Sequence, residues 1–172
     1  ATHPIDWLFG LEQFGIKFGL DNMRALVAEL GHPERAFRSI HIAGTNGKGS
    51  TAAFLAAMLR EAGHRVGLYT SPHLVSFTER IRINGAQIFE GRVVELAERI
   101  RKGCRLLGSG EGPGPFSPTF FEVTTALAFT YFAEEGVDLA VVETGMGGRL
   151  DSTNVVTPLV SVITNIDLEH TE

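Results

Sequence analysis

One stretch of the sequence constrains the fold more than any other, because a buried strand, a glycine-rich loop and a helix follow one another without a break. The β-branched run SIHIAG (39–44) enters the loop, and the alanine-rich segment GSTAAFLAAMLREAG (49–63) leaves it. A loop in this position gathers unpaired backbone N–H groups where the helix dipole is positive. The stretch therefore predicts a phosphate-binding loop within an α/β domain.

The spacing within this loop departs from the usual phosphate-loop pattern of Gly, four residues, Gly, Lys and then Ser or Thr. The first glycine is Gly44, Gly47 and Lys48 follow, and Gly49 delays the hydroxyl to Ser50. Glycines let the backbone approach a phosphate closely, and the lysine supplies charge for the outer phosphates. An ordinary strand-to-helix turn with a solvated lysine is the alternative. The combination of these residue types in one strand–loop–helix unit favours phosphate binding.

Strands alternate with helices along the rest of the chain. The patterns predict helices over 21–31, 90–103 and 119–136, a hairpin over 79–88 around Asn84-Gly85, and strands over 65–71, 138–145 and 158–166, the last two of them buried. A turn-rich connection covers 108–118. This order predicts an α/β fold with a mostly parallel sheet and helices on both faces.

Composition limits the classes of function. The chain has 172 residues, of which 44% are hydrophobic, which suits one domain with a full core. Its formal net charge of −5 argues against a nucleic-acid or anionic-membrane surface, so phosphate binding would need a local site. The single cysteine, Cys104, excludes an internal disulfide and favours a reducing compartment. With no evident secretory signal or long apolar span, we expect a cytoplasmic domain.

The shifted loop spacing is itself a pattern, because GTNGKGST resembles the nucleotide loop of the Mur ligase superfamily. Four further stretches narrow the resemblance to folylpolyglutamate synthase and the bifunctional dihydrofolate synthase: YTSPHLVSFTERIRING (69–85), TFFEVTTALAF (119–129), VETGMGGRLDSTNVV (142–156) and ITNIDLEHTE (163–172). The resemblance implies a P-loop-containing α/β domain followed by a smaller C-terminal domain. It implies that residues 1–172 are the ATP-binding part, lacking that second domain, of a protein expected to be a monomer.

The resemblance also implies a set of ATP, Mg²⁺ and catalytic residues. Glu143 ends the run DLAVVE, and the carboxyl end of a parallel strand is where α/β sheets bind ligands. From the residues alone, Ser71 could equally bond to its own turn and His170 could be structural. The resemblance assigns Ser71, Glu143 and His170 to metal and makes Lys48, Glu143 and His170 catalytic. It assigns the whole loop to ATP: Gly44, Thr45, Asn46, Gly47, Lys48, Gly49 and Ser50.

Two further segments have competing interpretations. Thr119 and Glu122 form a T-x-x-E capping box, which alone would explain both residues. The DSTN sequence that begins at Asp151 is ordinary turn chemistry. The resemblance places both segments at the pterin pocket and implies these substrate contacts: Thr119, Phe120, Phe121, Glu122, Leu150, Asp151 and Ser152.

The implied activity is an ATP-dependent ligation. A folate or dihydropteroate carboxylate would take the γ-phosphoryl group of ATP to form an acyl phosphate, which the amine of L-glutamate would then attack. Phosphoryl transfer needs alignment and charge neutralisation, which Lys48, the loop amides and Mg²⁺ would supply. Two alternatives stay open: another Mur-type ligase that acts on a cell-wall precursor, and a nucleotide-binding module that is inactive on its own.

Overall fold

The structure, a computed structural model, describes residues 2–108 and 116–167. In these residues six strands form one mixed sheet: β1 (Arg38–Ala43), β2 (Val66–Tyr69), β3 (Ile81–Ile83), β4 (Ala86–Gln87), β5 (Leu139–Glu143) and β6 (Val160–Ile163). The strand order is β4-β3-β2-β5-β1-β6. The α-helices are α1 (Pro4–Gly10), α2 (Asp21–Glu29), α3 (Lys48–Glu61), α4 (Glu90–Gly108) and α5 (Phe120–Glu134). Four 3₁₀ helices lie between them: Leu11–Phe14, Pro33–Arg35, Phe77–Arg80 and Ser152–Val155.

Parallel pairing brings the functional loops to one edge of the sheet. β1 lies between β5 and β6, with Ile42 opposite Glu143 and Ala43 opposite Ile163. β2 runs parallel to β5 on its other side. The carboxyl ends of these four strands therefore meet, and the segments 44–50, 70–76, 144–151 and 164–167 follow them at the same edge. Ligands of open α/β sheets bind at such an edge.

The predicted hairpin is confirmed next to β2. β3 pairs antiparallel with both β2 and β4. Asn84 and Gly85 have φ of 48° and 84°, the left-handed conformation that a two-residue hairpin turn requires. The Asn84 side chain also accepts a 2.8 Å hydrogen bond from the Val66 N–H, which ties the turn to the start of β2.

Helices cover both faces of the sheet, as the sequence predicts. On one face, Ala52 of α3 packs with Ile42, Val66 and Val141 of the sheet. On the opposite face, α5 contributes a fully buried series that includes Phe129, and α1, α2 and α4 pack in the same cluster. The observed fold is therefore the predicted P-loop-containing α/β domain with a mostly parallel sheet.

Two features differ from the sequence prediction. The predicted strand over 158–166 forms, but it is not buried: Val160 and Ile163 are 52% and 64% exposed. The reason is its position, since β6 is an edge strand that pairs with β1 alone among the described residues. The second difference is α1, which the sequence patterns did not predict and which buries Leu8 in the larger core.

Candidate functional site

The glycine-rich loop joins β1 to α3 in a conformation that requires glycine at two positions. Gly44 has φ of 134°, and a Cβ placed there would lie 2.1 Å from Thr164 Oγ1. Gly47 has φ of 80° and immediately precedes the first turn of α3. The unpaired N–H groups of that first turn, including those of Gly49 and Ser50, are available to an anion.

The segment after β6 braces this loop. The Asn46 N–H donates to Asn165 Oδ1 at 2.8 Å, and the Thr45 N–H donates to the Asn165 carbonyl at 2.9 Å. Thr164 Oγ1 donates to the Asn46 carbonyl at 2.6 Å, and the Asp167 N–H donates to Thr45 Oγ1 at 3.0 Å. Hydrogen bonds from the backbone and side chain of Thr45 and the backbone of Asn46 thus fix the loop in place, which preorganises it for a ligand.

Lys48 is the first residue of α3, and its ammonium group lies over the loop. Nζ donates to the Gly44 carbonyl at 2.7 Å and to the Thr45 carbonyl at 3.4 Å. The side chain is half-buried and lines a cavity of about 570 Å³ together with Gly44, Thr45 and Asp167. A positive charge is therefore held between the loop and the cavity, where it could contact an outer phosphate of a bound nucleotide.

Glu143 places a carboxylate beside the loop. It ends β5 and is 5% exposed, and its Oε2 atom has no hydrogen-bond partner among the described residues. A Cβ placed on Gly49 would lie 3.7 Å from that oxygen, so the oxygen faces the first turn of α3. Burial raises the pKa of Glu143, and a hydrogen bond from the Ser71 N–H together with the Lys48 charge offsets part of the rise.

This arrangement fits a magnesium ion. A buried carboxylate oxygen without a partner is costly unless a cation or donor occupies the space that it faces. In the described residues no three His, Cys, Asp or Glu side chains are grouped to hold a metal. Mg²⁺ at a nucleotide site commonly takes one or two protein ligands and completes its shell with phosphate oxygens and water. Glu143 offers one such oxygen, and the neighbouring Ser71, whose N–H donates to Glu143, carries a hydroxyl; His170, the third predicted ligand, lies outside the described residues.

A second cavity, of about 510 Å³, adjoins the first along the glycine loop 145–148. The larger part of its wall is apolar. Six of the seven predicted substrate contacts line it: Thr119, Phe120, Phe121, Leu150, Asp151 and Ser152. Ser71 lines it as well, so the cavity extends to the residues beside Glu143.

Glu122 is the predicted substrate contact that does not line this cavity. It is 2% exposed, and the capping box is formed: the Thr119 N–H donates to its Oε2 at 2.7 Å, and its own N–H donates to Thr119 Oγ1 at 3.1 Å. Asn22 Nδ2 donates to the same carboxylate at 3.3 Å. Glu122 therefore caps the N-terminus of α5 and orients Thr119, which lines the cavity.

Asp151 lines the cavity, but both of its carboxylate oxygens are used by the protein. Oδ2 accepts the N–H groups of Gly145 and Met146 at 2.8 and 2.9 Å. Oδ1 accepts both the N–H and the hydroxyl of Thr153. Because that hydroxyl donates to Asp151, His41 Nε2, at 2.7 Å from Thr153 Oγ1, must be the donor in their bond. A buried chain of hydrogen bonds thus holds the loop that separates the two cavities.

Sequence reasoning missed two residues that the structure brings to the site. Thr144, directly after Glu143, is 1% exposed, and its Oγ1 has no partner in the described part of the chain. Arg80 lines the 510 Å³ cavity although it is only 8% exposed. No local sequence pattern marks either residue as part of a site. Thr144 resembles an ordinary strand end, and Arg80 belongs to the alternating pattern of the predicted hairpin.

The fold and the braced glycine loop define an α/β domain of the P-loop class. The sequence profile of the Mur ligase middle domain matches residues 42–172, and the chain belongs to that family. The dihydrofolate synthase/folylpolyglutamate synthase of Bacillus subtilis is 49% identical over 165 residues, which cover 95% of this chain and 38% of the Bacillus protein.

Solved structures agree with this assignment. The folylpolyglutamate synthase of Thermotoga maritima has a TM-score of 0.87 and 47% identity, with 96% of this chain and 38% of that one covered. The bifunctional enzyme of Yersinia pestis, solved with AMPPNP and a manganese ion, has a TM-score of 0.86 and 36% identity, with 100% and 40% covered. The chain thus spans about two fifths of the length of these relatives.

Proposed function

We propose that residues 1–172 are the ATP-binding domain of a ligase that joins L-glutamate to the carboxylate of a folate or dihydropteroate. One observation carries the proposal. The braced loop with Lys48 lies beside the Glu143 carboxylate, one oxygen of which has no partner in the described residues, and the cavity that Lys48 lines adjoins an aromatic-walled cavity of about 510 Å³. A phosphate site next to a pocket for a flat ring is the arrangement needed to phosphorylate a carboxylate on a ring-containing acceptor.

The phosphate side of the site would perform the first half of the reaction. Lys48 and the N–H groups of the first turn of α3 bind the phosphates and align the γ-phosphoryl group with the acceptor carboxylate. Ser71, Glu143 and His170 are the proposed Mg²⁺ ligands, and the ion, when bound, neutralises charge on the phosphate oxygens. The Yersinia pestis relative, solved with an ATP analogue and a divalent metal, supports both ligands.

The cavity side would hold the acceptor. Phe120 and Phe121 supply flat apolar surface, and Thr119, Leu150 and Ser152 complete the proposed contacts. Glu122 and Asp151 act through the backbone, since their carboxylates start α5 and hold the loop 145–148. The names of the Bacillus subtilis and Thermotoga maritima relatives support a folate-type acceptor.

Amide formation would require more than this domain. The amine of glutamate must be held in line with the acyl phosphate, and water must be kept away from that intermediate. The relatives are about two and a half times longer than the part that this chain matches. The isolated 172 residues are therefore expected to bind Mg-ATP and to hydrolyse it slowly at most.

The test is an assay of product and phosphate release with ATP, Mg²⁺ and dihydropteroate or a folate, with and without glutamate. The complete protein should form a glutamylated product only when all components are present, and the 172-residue chain should form none. Product from the 172 residues alone would refute the two-domain proposal. Activity of the complete protein on a cell-wall precursor acid, with none on folates, would favour another Mur-type ligase. No ligation by either protein would favour a nucleotide-binding module.

A further inference from the structure

Arg80 is a buried cation on the wall of a largely apolar cavity. It ends the 3₁₀ helix Phe77–Arg80 and is 8% exposed. Two contacts fix the plane of its guanidinium group. Nε donates to His73 Nδ1 at 2.7 Å, and the guanidinium carbon lies 5.3 Å from the centroid of the Phe120 ring. Such a rigid, partly desolvated cation is well suited to recognise a specific group.

The two terminal amino groups of Arg80 are accessible to a ligand. Within residues 2–108 and 116–167, the bond to His73 is the one hydrogen bond that this side chain makes. Some side-chain atoms in the described residues are fully buried without a hydrogen-bond partner, but the terminal nitrogens of Arg80 do not belong to that group. They are therefore accessible from outside the protein. Arg80 lines the 510 Å³ cavity, so a ligand in that cavity lies beside its side chain.

The chemistry of the two amino groups selects a carboxylate. A guanidinium is a fork of donors with no acceptor, and a carboxylate is its acceptor-only complement. The neutral acceptors of a pterin ring lack the negative charge that makes a guanidinium–carboxylate bond stronger. Burial also lowers the pKa of Arg80, and interactions with Tyr69 and Glu12 offset only part of this fall. An anionic ligand would stabilise the charged guanidinium group further.

The position of Arg80 places such a carboxylate near the phosphate loop. The Arg80 carbonyl accepts the Thr70 N–H at 3.0 Å, so Arg80 lies beside the start of the segment that follows β2. The next residue, Ser71, donates its N–H to Glu143, which faces the first turn of α3. The guanidinium group contacts the same segment through His73, and Ser71 and Arg80 line the same cavity, so a carboxylate bound by Arg80 would lie near the sheet edge that carries the phosphate loop.

We propose that Arg80 is a substrate-binding residue whose guanidinium group holds the acceptor carboxylate that is to be phosphorylated. This inference rests on the proposed ligase function and assigns a residue to the acceptor end of its substrate. The bound cation offsets the repulsion between the acceptor carboxylate and the γ-phosphate as the two approach.

Lys17 provides a matched comparison. It is the other cation that lines this cavity among the described residues, but it is exposed, and its ammonium group donates to the Ser117 carbonyl at 2.6 Å. Because the Lys17 ammonium group is solvated, a substrate carboxylate would gain less from it than from the buried guanidinium group of Arg80.

The experiment measures binding of two ligands to the complete protein in the presence of the non-hydrolysable analogue AMPPNP and Mg²⁺. The ligands are dihydropteroate and its carboxamide, which share the ring system and differ in the charge of the acceptor group. The wild type should bind the acid more tightly than the amide. Arg80→Met should reduce affinity for the acid by roughly 10- to 100-fold, the range for a charge-assisted hydrogen bond, and leave affinity for the amide nearly unchanged. Arg80→Lys should give an intermediate acid-to-amide ratio, and Lys17→Met should retain the wild-type ratio.

The amide serves as an internal control for folding, because a misfolded variant loses both ligands. Should Arg80→Met prove insoluble, the ratio for Arg80→Lys decides the question. An unchanged ratio in the Arg80 variants, an equal loss of both ligands in a folded Arg80 variant, or loss of the ratio in Lys17→Met would overturn the assignment. Failure of the wild type to bind either ligand would instead refute the proposed function.

Discussion

Replacing Glu143 with glutamine is expected to stabilise the ligand-free chain while weakening its binding of Mg-ATP. In the wild type a charged oxygen is buried without a partner in the described residues, at a position that a magnesium ion would occupy. Glutamine keeps the size of the side chain and can still accept the Ser71 N–H, but it carries no charge. The substitution therefore removes a burial penalty and the proposed metal ligand together.

The size of the gain follows from the same contacts. A buried polar group without a partner costs about 1–3 kcal/mol, and more when it is charged. The Ser71 N–H and the Lys48 charge offset part of this penalty, and the neutral amide still lacks one partner. We expect a net gain of about 1–2 kcal/mol at pH 7, which for a chain of this length raises Tm by roughly 2–8 °C.

The gain should depend on pH with a definite sign. The pKa of Glu143 in the folded chain is raised above its ordinary value of 4.5. Above the folded pKa the carboxyl is ionised in both states and the penalty is complete, whereas below pH 4.5 it is neutral in both and the penalty disappears. The stability advantage of Glu143→Gln should therefore shrink as the pH falls through the folded pKa towards 4.5.

Thermal and urea unfolding of the 172-residue chain between pH 4 and pH 8 would test this, with calorimetric titration of Mg-ATP at pH 7.5. Glu61→Gln, an exposed position on α3, is the control and should change stability by less than about 0.5 kcal/mol. His170→Ala should weaken Mg²⁺-dependent ATP binding less than Glu143→Gln, because a carboxylate suits Mg²⁺ better than imidazole does. A destabilised Glu143→Gln that binds Mg-ATP like the wild type would refute the reasoning.

Three further substitutions probe the supports of the site. Gly44→Ala should lower the free energy of unfolding by about 2–4 kcal/mol in urea titrations and abolish ATP binding, because its Cβ would overlap Thr164 Oγ1 at a φ of 134°. Thr153→Val should cost about 1–3 kcal/mol, since it removes the hydroxyl that bonds to both Asp151 and His41 and leaves buried His41 Nε2 without this partner; an unchanged Tm would contradict this. Burial lowers the pKa of His41, so Tm should fall as the pH drops below 6.5, and His41→Gln should flatten that dependence.

Those parts of the fold that depend on local pattern were predictable from the sequence. The β-branched run before Gly44, the Asn84-Gly85 turn and the apolar periodicity of α4 each carry their own signal, and each element formed, although α4 continues to Gly108 rather than ending at 103. Burial of β6 was not predictable in the same way, because VSVI looks alike in a central strand and at an edge. The order of strands, which decides burial, is not encoded locally.

The site residues likewise divide into those predictable from local sequence and those that depend on tertiary contacts. Lys48 and Glu143 could be proposed because each lies at the end of its own strand–loop unit. The brace from Asn165 to the loop joins residues 119 positions apart, and the bond from Asn22 to Glu122 joins residues 100 apart. Arg80 could be recognised as a candidate only from the structure, which places it against Phe120. Pattern reasoning identifies candidate residues, whereas tertiary contacts decide which of them face the ligand.

The most direct test of the proposed nucleotide site is calorimetric titration of Mg-ATP into the 172-residue chain and its Lys48→Ala variant. Lys102→Ala, an exposed lysine on α4 and so on the side of the sheet opposite α3, is the matched control. We expect the wild type and Lys102→Ala to bind Mg-ATP alike and Lys48→Ala to bind it at least about tenfold more weakly, since a charge-assisted contact to phosphate is lost. Equal binding by the wild type and Lys48→Ala would contradict the assignment of this loop to ATP.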